Sequence, residues 1–268
     1  PSRGLGDVYK RQCGNLGDPI IAQDCLEILQ YIKTVNPNIQ LSMHTNGSAR
    51  SVQWWEQLAY TGTRVVFGID GLEDTHSLYR VATDWNKIIE NATAFIQAGG
   101  QAEWHMLVFK HNEHQVDDCQ NIANRLKFKK FQVKHTSRFI NGKFHALDEQ
   151  GRTTHILYPT SRSEDMVLKV IENYNSVSIS CKAQKQKQIY VSADGKVSPC
   201  CWLDLSWQLP KQENRIEYMD TIGEFPSLTE KSLQEIFDSD YFTKINNTPL
   251  MECKKQCGTF DKSGAQFD

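Results

Sequence analysis

The sequence predicts an α/β protein with a parallel sheet, followed by a small cysteine-rich module. From residue 13 onward, short β-rich runs alternate with amphipathic helical stretches, which is the pattern of βαβ units in an open sheet or a barrel. The turns after the predicted strands are polar and mostly carry glycine: CGNLGDP, MHTNG, GIDGLED and VFKHNEH. Five of the eight cysteines fall in the last third of the chain, where the alternating pattern has ended.

The elements follow one another without internal repeats. Asp18 before Pro19 predicts a helix start, with Asp as N-cap and Pro at the first position. The apolar residues of that helix recur at helical spacing, at Ile21, Cys25, Ile28, Leu29 and Ile32. Further strands are predicted in NIQLSMHTNG, TRVVFGIDG, QAEWHMLVFK and KKFQVKHT, and further helices in SARSVQWWEQLAYTG, TDWNKIIENATAFIQAGG and EHQVDDCQNIANRLKF.

The composition and charge of the chain limit the classes of protein to which it can belong. With 268 residues, 39% hydrophobic and 23% charged, the chain can bury a sizeable core as one large domain or one with a small satellite. A net charge of −2 argues against a nucleic-acid binder, which usually carries a basic excess. No apolar run approaches the roughly 18–20 residues of a membrane span, and no secretory signal is visible. We therefore expect a cytoplasmic protein without a nucleic-acid or membrane partner.

The pattern divides the chain into four segments. Residues 1–12, PSRGLGDVYKRQ, lack apolar periodicity and resemble the translated adapter sequence at the ends of metagenomic gene fragments, so they are excluded from the fold; a natural disordered tail is the alternative. Residues 13–145 carry the alternating pattern. Residues 146–180 read as a linker and a helix, DMVLKVIENYN. Residues 181–262 form the cysteine-rich module, with a hairpin around Asp194-Gly195, the helix SLTEKSLQEIFDSDYFTKI, and CKKQC.

The clustered cysteines suit a metal site. Without a secretory signal, such cysteines are more often metal ligands than disulfides. A four-thiolate site would pin the ends of a module too small to fold on apolar burial alone. Zinc and an iron–sulfur cluster both accept four cysteines, although CKKQC departs from the C-x₂-C of zinc ribbons. Cys25 and Cys119, inside predicted helices, are expected to be small buried hydrophobes. The candidate ligands are Cys181, either Cys200 or Cys201, Cys253 and Cys257.

The order of these features resembles the radical S-adenosylmethionine (SAM) enzymes that carry a C-terminal SPASM-type iron–sulfur domain. Thirteen residues separate Cys181 from Gly195, four more precede Cys200, and the phrase SLQEIF then leads to the close cysteine pair. The resemblance runs from Cys13 to about Gly258. It implies a partial (β/α)6 barrel missing its first strand and cluster loop, followed by a small cysteine-ligated α+β module. It also implies an auxiliary [4Fe–4S] cluster on Cys181, Cys200, Cys253 and Cys257, with Cys200 preferred to Cys201 by its spacing from Gly195.

The same resemblance implies a SAM site at the strand ends. Gly17-Asp18-Pro19 matches the family's Gly-Glu-Pro element, which meets the amino group of SAM, and Thr45-Asn46-Gly47 matches its Thr-Asn-Gly turn. Asp70-Gly71 matches the Asp-Gly of the next strand end, Arg80 is a partner for the carboxylate of SAM, and Val108 lies where an apolar strand end would flank adenine. These residue types suit SAM because it is a zwitterion on a ribose and an adenine.

Plainer roles remain open for each of these residues. Asp18 can serve only as an N-cap, Asn46-Gly47 and Asp70-Gly71 only as turns, and Arg80 only as a surface salt-bridge partner. His111 and His114, although spaced like a metal pair, are expected to be loop and helix-start residues.

One departure from the family is severe. The defining C-x₃-C-x₂-C motif, which holds the catalytic [4Fe–4S] cluster, is absent, and Cys13 has no partners at that spacing. The missing strand and loop coincide with residues 1–12, so we expect a truncated sequence rather than a naturally cluster-less homologue. This polypeptide by itself should not cleave SAM, and the catalytic cluster is expected only in a full-length parent.

For that parent the resemblance implies reductive cleavage of SAM and hydrogen abstraction from a substrate. A peptide or protein maturase is expected, with a flavodoxin or ferredoxin as electron donor. One alternative is a non-catalytic α/β protein with a zinc-stabilised C-terminal module. Another is a phosphate-binding α/β enzyme at GNLGDP, although that turn lacks the lysine and Ser/Thr of a P-loop.

Overall fold

The computed structural model describes residues 9–12, 17–136, 138–160, 177–208, 220, 222–248 and 250–259. The chain divides into two compact units, Pro1–Lys169 and Val170–Asp268. Among the described helices, none combines the length and apolarity needed to span a bilayer.

A five-stranded sheet forms the centre of the first unit. Every neighbouring pair of strands is parallel, and the order in the sheet is the order in the chain. Because parallel crossovers are right-handed, consecutive strands joined in this way place their helices on one face, as in a barrel wall. The predicted parallel α/β architecture is therefore confirmed. The strands are β1 (Tyr9–Gln12), β2 (Gln40–Thr45), β3 (Arg64–Gly68), β4 (Gln101–Leu107) and β5 (Lys130–Lys134).

The core of this unit lies between that face of the sheet and the helices. On β3, Phe67 packs against Trp55 and Phe95, and on β4, Trp104 packs against Phe128 and Phe131. Cys119 is fully buried in the same core, and burial raises the pKa of its thiol to about 12. The helices are α1 (Cys25–Val35), α2 (Val52–Tyr60), α3 (Glu73–Tyr79), α4 (Trp85–Gln97) and α5 (Val116–Arg125).

The first helix starts later than predicted. Asp18 and Pro19 begin a one-turn 3₁₀ helix, Pro19–Ile21, which ends where Ala22 takes an extended conformation. The break shifts the helical register, so Cys25 and Leu29 are buried while Ile21 and Ile28 are exposed, against the predicted single apolar stripe. Burial raises the pKa of the Cys25 thiol to about 11, as expected for a core cysteine.

The exclusion of residues 1–12 from the fold was wrong for the last four of them. Tyr9–Gln12 forms β1 and pairs with β2 in the register Tyr9↔Gln40 to Gln12↔Met43. Strand pairing uses backbone N–H and C=O groups, which a segment without apolar periodicity also offers. Cys13 lies outside the described residues.

The predicted linker begins inside a hairpin. Strands β6 (Phe144–Leu147) and β7 (Thr153–Leu157) pair antiparallel, and Ala146 and Leu157 are buried against Phe109. Pairing with a partner six or more residues away, rather than local periodicity, makes these strands. The helix predicted at 165–175 lies outside the described residues.

The second unit is small and built from short elements. The hairpin predicted around Asp194-Gly195 is confirmed, with Gly195 at φ +80°. The helix predicted over residues 227–245 is instead two helices, because residues 227–232 are not helical and the chain at Ser239 leaves the helical conformation. The core of the second unit includes Val197, Ile236 and Tyr241. The strands are β8 (Ser178–Ile179), β9 (Tyr190–Val191), β10 (Val197–Ser198) and β11 (Gly258–Thr259); the helices are α6 (Lys182–Lys185), α7 (Cys201–Gln208), α8 (Leu233–Asp238), α9 (Tyr241–Asn247) and α10 (Met251–Cys257).

Candidate functional site

Asp18 joins two of the turns that the sequence singled out. Its Oδ2 accepts a hydrogen bond from the Oγ1 of Thr45 at 2.9 Å and from the backbone N–H of Asn46 at 2.6 Å. Its Oδ1 accepts from the backbone N–H of Ile20 at 3.2 Å, so the residue also caps the one-turn helix. The three predicted residues therefore lie together at the carboxyl end of β2. Of their neighbours, Gly17 is exposed and Pro19 is buried.

The turn after β2 needs glycine and a buried amide. Gly47 has φ +76°, and a Cβ there would stand 2.8 Å from the ring of Phe67. The Nδ2 of the buried Asn91, on α4, donates to the carbonyl of Gly47 at 2.8 Å. Asn46 folds the turn further, since its Oδ1 accepts from the N–H of Ser48 at 2.8 Å. Asn91 was missed from sequence, where it appears as an ordinary polar residue of an amphipathic helix.

Asp70 is buried and holds two strand ends together. Its Oδ2 accepts from the Nε of Arg80 at 2.6 Å, and its Oδ1 accepts from the backbone N–H of Leu107 at 2.6 Å. The Asp70 side chain has no exposure to solvent, whereas that of Arg80 keeps 31%. Asp70 therefore acts on any ligand only through Arg80.

The guanidinium of Arg80 lies over the end of β3. A Cβ on Gly68 would stand 2.7 Å from the Nη2 of Arg80 and 3.6 Å from the carbonyl oxygen of Thr45. Glycine at this position leaves room for the arginine in this place, and a side chain there would displace the guanidinium. The predicted Arg80 and Thr45 are neighbours across the same sheet edge.

Val108 follows β4 at this edge. It is buried in the main core, and its N–H donates to the carbonyl of Lys134 at 2.9 Å. The loop beyond it is held by Asn112, whose Nδ2 donates to the carbonyls of Asp70 at 3.1 Å and Leu107 at 3.0 Å. Asn112 was also missed as an individual residue; a buried asparagine shortly after a strand end was its only signal.

Two histidines are buried beside this edge. The Nδ1 of His76 accepts from the N–H of Asp70 at 3.0 Å, and burial lowers its pKa to about 4. His111 stacks on Phe109, and neither of its ring nitrogens has a hydrogen-bond partner among the described residues. Burial also lowers the pKa of His111, so both imidazoles are neutral at pH 7. His111 and His114 belong to no metal-binding group within the described ranges.

The second unit brings four of its cysteines around one cavity of about 430 Å³. Cys253 and Cys257 lie one turn apart on α10, and the N–H of Ser180 donates to the carbonyl of Cys257 at 2.9 Å, which seats Cys181 beside that helix. Cys200, at the start of α7, lines the cavity, whereas Cys201 does not. All four predicted ligands are thereby brought together.

Burial keeps two of these thiols, Cys200 and Cys253, protonated in the absence of a metal. Burial raises the pKa of Cys253 to about 12, and the nearby Cys200 adds to the effect. Burial likewise raises the pKa of Cys200, against the backbone N–H groups of Leu203 and Trp202, which lower it. A bound metal would favour the thiolates instead.

The four cysteines around one cavity match the ligand set of a [4Fe–4S] cluster, which is held by four thiolates. The same number of thiolates also binds a structural zinc ion, so the ligand count by itself does not choose between the two.

Comparison with known proteins agrees with this arrangement. Residues 181–258 match the SPASM family, an iron–sulfur cluster-binding domain. The structure of SuiB from Streptococcus suis bound to S-adenosylmethionine is 15% identical, with a TM-score of 0.58 over 92% of this chain and 60% of SuiB. Native anSMEcpe with bound AdoMet and Cp18Cys peptide is 16% identical, with a TM-score of 0.54 over 95% of this chain and 74% of anSMEcpe. No curated protein matches the chain.

The C-terminal unit contains a SPASM-type iron–sulfur domain. The chain as a whole has the fold of the radical SAM enzymes that carry this domain, and the resemblance found in the sequence is confirmed at that level. The chain spans about 60% of the length of SuiB.

Proposed function

We propose that this chain is part of a radical SAM enzyme that binds SAM at the strand ends and an auxiliary [4Fe–4S] cluster in its C-terminal unit. The observation that supports this most directly is the set of four cysteines around one cavity within the segment that matches the SPASM domain. The ligands are Cys181, Cys200, Cys253 and Cys257. Burial keeps the thiols of Cys200 and Cys253 protonated until a metal binds, so metal binding there releases protons.

At the strand ends, the chain offers the groups that a zwitterionic ligand needs. Asp18 uses three of the roughly four lone-pair directions of its carboxylate, which leaves one for the ammonium of SAM. Arg80 presents its exposed guanidinium edge to the carboxylate of SAM, while Asp70 fixes its Nε. Thr45 and Asn46 shape the wall between them, and Val108 provides the apolar flank for adenine.

The radical chemistry belongs to the cofactors, while the protein binds and orients them. Bound together, SAM and a reduced iron–sulfur cluster would supply the radical chemistry that removes a hydrogen atom from the substrate. The C-x₃-C-x₂-C motif for that cluster is absent from these 268 residues. We propose the full reaction for a longer parent, and expect the present chain to bind SAM without cleaving it.

A peptide or protein is the proposed substrate class. SuiB has been seen bound to the precursor peptide SuiA, at 14% identity and a TM-score of 0.54 over 87% of this chain and 54% of SuiB. The sheet face away from the core is polar here: Arg64 pairs with Glu103 at 2.6 Å, and His105 lies 3.3 Å from Glu103. Such a face offers hydrogen bonds to peptide groups. A flavodoxin or ferredoxin in the cytoplasm is the proposed electron donor.

Anaerobic reconstitution of the full chain with iron and sulfide tests the cluster. We expect about four irons and four sulfides per chain, lost when Cys181 and Cys200 are both replaced by alanine. Replacement of Cys25 and Cys119 by alanine is the matched control, since both are buried outside the C-terminal unit. One zinc per chain with no sulfide would overturn the cluster and favour the zinc-stabilised alternative.

Calorimetric titration with SAM tests the strand-end site separately. We expect binding by the wild-type chain and about tenfold weaker binding by Asp18→Asn, because the ammonium loses a charged acceptor. Asp148→Asn, on the exposed hairpin, should bind as the wild type does. Equal affinities for all three would remove Asp18 from the site.

A further inference from the structure

Arg50 reaches back from the turn after β2 to the one-turn helix Pro19–Ile21. Its Nε donates to the carbonyl of Ile20 at 2.6 Å, and its Nη2 donates to the carbonyls of Ala22 at 2.5 Å and Ile21 at 3.4 Å. Carbonyls at the end of a helix have no partner within the helix. The guanidinium supplies that partner for Ile20 and Ile21, while the carbonyl of Ala22 accepts from it and also from the N–H of Cys25 at 3.1 Å.

Asp18 holds the opposite end of the same helix and reaches in the opposite direction. Its carboxylate accepts from the Thr45–Asn46 segment, while Arg50 donates from the end of that turn to the helix. The side chains of Asp18 and Arg50, which carry opposite charges, thus both bond the helix Pro19–Ile21 to the segment that follows β2. The helix itself contributes little rigidity, since the backbone bonds across it among the described residues run from Ile21 N–H to the Asp18 carbonyl at 3.0 Å and from Ala22 N–H to the Pro19 carbonyl at 3.3 Å.

The backbone of Arg50 is unusual. Its φ is +74°, a left-handed conformation that costs energy for a residue with a Cβ. Such conformations persist where the surroundings impose them, and they occur frequently at functional sites. Here the three carbonyls and the ring of Trp54, 5.5 Å from the guanidinium carbon, hold the side chain.

We propose that Arg50 is a positioning residue for SAM, which rests on the proposed function. Asp18 needs its free lone pair to face the ligand while its other sites stay bonded to Thr45 and Asn46. By bonding to the carbonyls of the one-turn helix, Arg50 holds it where Asp18 can keep these bonds and still face the ligand. Without Arg50, the carboxylate of Asp18 is the main side chain that bonds the one-turn helix to the end of β2. The ammonium of SAM then competes with Thr45 and Asn46 for that carboxylate.

The test is SAM affinity, measured by calorimetric titration of the full chain with Arg50→Asn. Asparagine tolerates a left-handed backbone, so this variant removes the guanidinium without adding backbone strain. Lys127→Asn is the matched control: Lys127 is an exposed cation with φ +67° at the end of α5. We expect about tenfold weaker SAM binding for Arg50→Asn and less than a twofold change for Lys127→Asn. If Arg50→Asn does not fold by circular dichroism, Arg50→Lys replaces it, with an intermediate loss expected.

A double-mutant cycle with Asp18→Asn separates positioning from general destabilisation. If Arg50 acts through Asp18, the double variant binds SAM no more weakly than Asp18→Asn alone. Additive losses would overturn the proposal, as would unchanged affinity in Arg50→Asn. Absence of SAM binding by the wild type would overturn the proposed SAM site itself, and this role of Arg50 with it, so the two failures are distinguishable.

Discussion

Asp70 and Arg80 form an ion pair of 2.6 Å in which the carboxylate is fully buried and the guanidinium is partly exposed. The other oxygen of Asp70 accepts from the N–H of Leu107. The pair therefore joins β3 to β4 and leaves the partly exposed guanidinium of Arg80 at the sheet edge where we propose that SAM binds. Asp70 was expected at this edge as a ligand-facing residue, but its burial gives it a supporting position.

The Asp70→Asn substitution should destabilise the first unit. It removes the buried charge that balances Arg80, and breaking such a pair on one side costs about 3 kcal/mol of unfolding free energy. Urea denaturation followed by tryptophan fluorescence measures the loss. Asp148→Asn, which breaks the exposed pair with Arg152, is the control and should leave the midpoint unchanged. Equal midpoints for the two variants would contradict the structural role of Asp70.

The Gly68→Ala substitution should weaken SAM binding more than it weakens folding. The new Cβ would stand 2.7 Å from the Nη2 of Arg80, and a flexible guanidinium moves aside at little cost to the core. Loss of one charge-assisted contact corresponds to about tenfold or more in affinity. In an Arg80→Gln background the alanine should add nothing further. A full additional loss there would show that Gly68 acts independently of Arg80.

Stability should fall in acid partly because of His76. Its pKa is about 4 in the folded chain and about 6.5 when unfolded. Between these values the unfolded chain binds the proton more readily, so stability is complete above pH 6.5 and declines as pH falls toward 4. The contribution is about 3 kcal/mol at its largest. Urea denaturation at pH 7, 5.5 and 4 should show a shallower decline in His76→Gln than in the control His145→Gln; parallel declines would contradict the burial of a neutral His76.

Cys200 and Cys201 should differ sharply as cluster ligands. Cys200 lines the four-cysteine cavity and Cys201 does not. After anaerobic reconstitution, Cys200→Ala should lose most of its iron, sulfide and visible absorbance, whereas Cys201→Ala should keep about four irons per chain. The reverse result would assign the ligand to Cys201.

Local spacing in the sequence was enough to predict the parallel α/β unit and the hairpin at Asp194-Gly195. Those features depend on periods of two and 3.6 residues and on turn residues, which neighbouring positions carry. The resemblance placed Asp18, Thr45 and Asn46 in one site, and the structure brings them into contact. Their roles toward SAM stay predictions.

By itself, the sequence determined the class of fold, the four candidate thiols and the strand ends where a ligand would bind. The tertiary structure decided that β1 and the β6–β7 hairpin exist, that Asp70 is buried behind Arg80, and that Arg50 holds the helix of Asp18. Each of these depends on a contact between residues distant in sequence. The partner of a buried carboxylate or a helix-end carbonyl is set by which segments meet when the core packs, and no local period encodes that meeting.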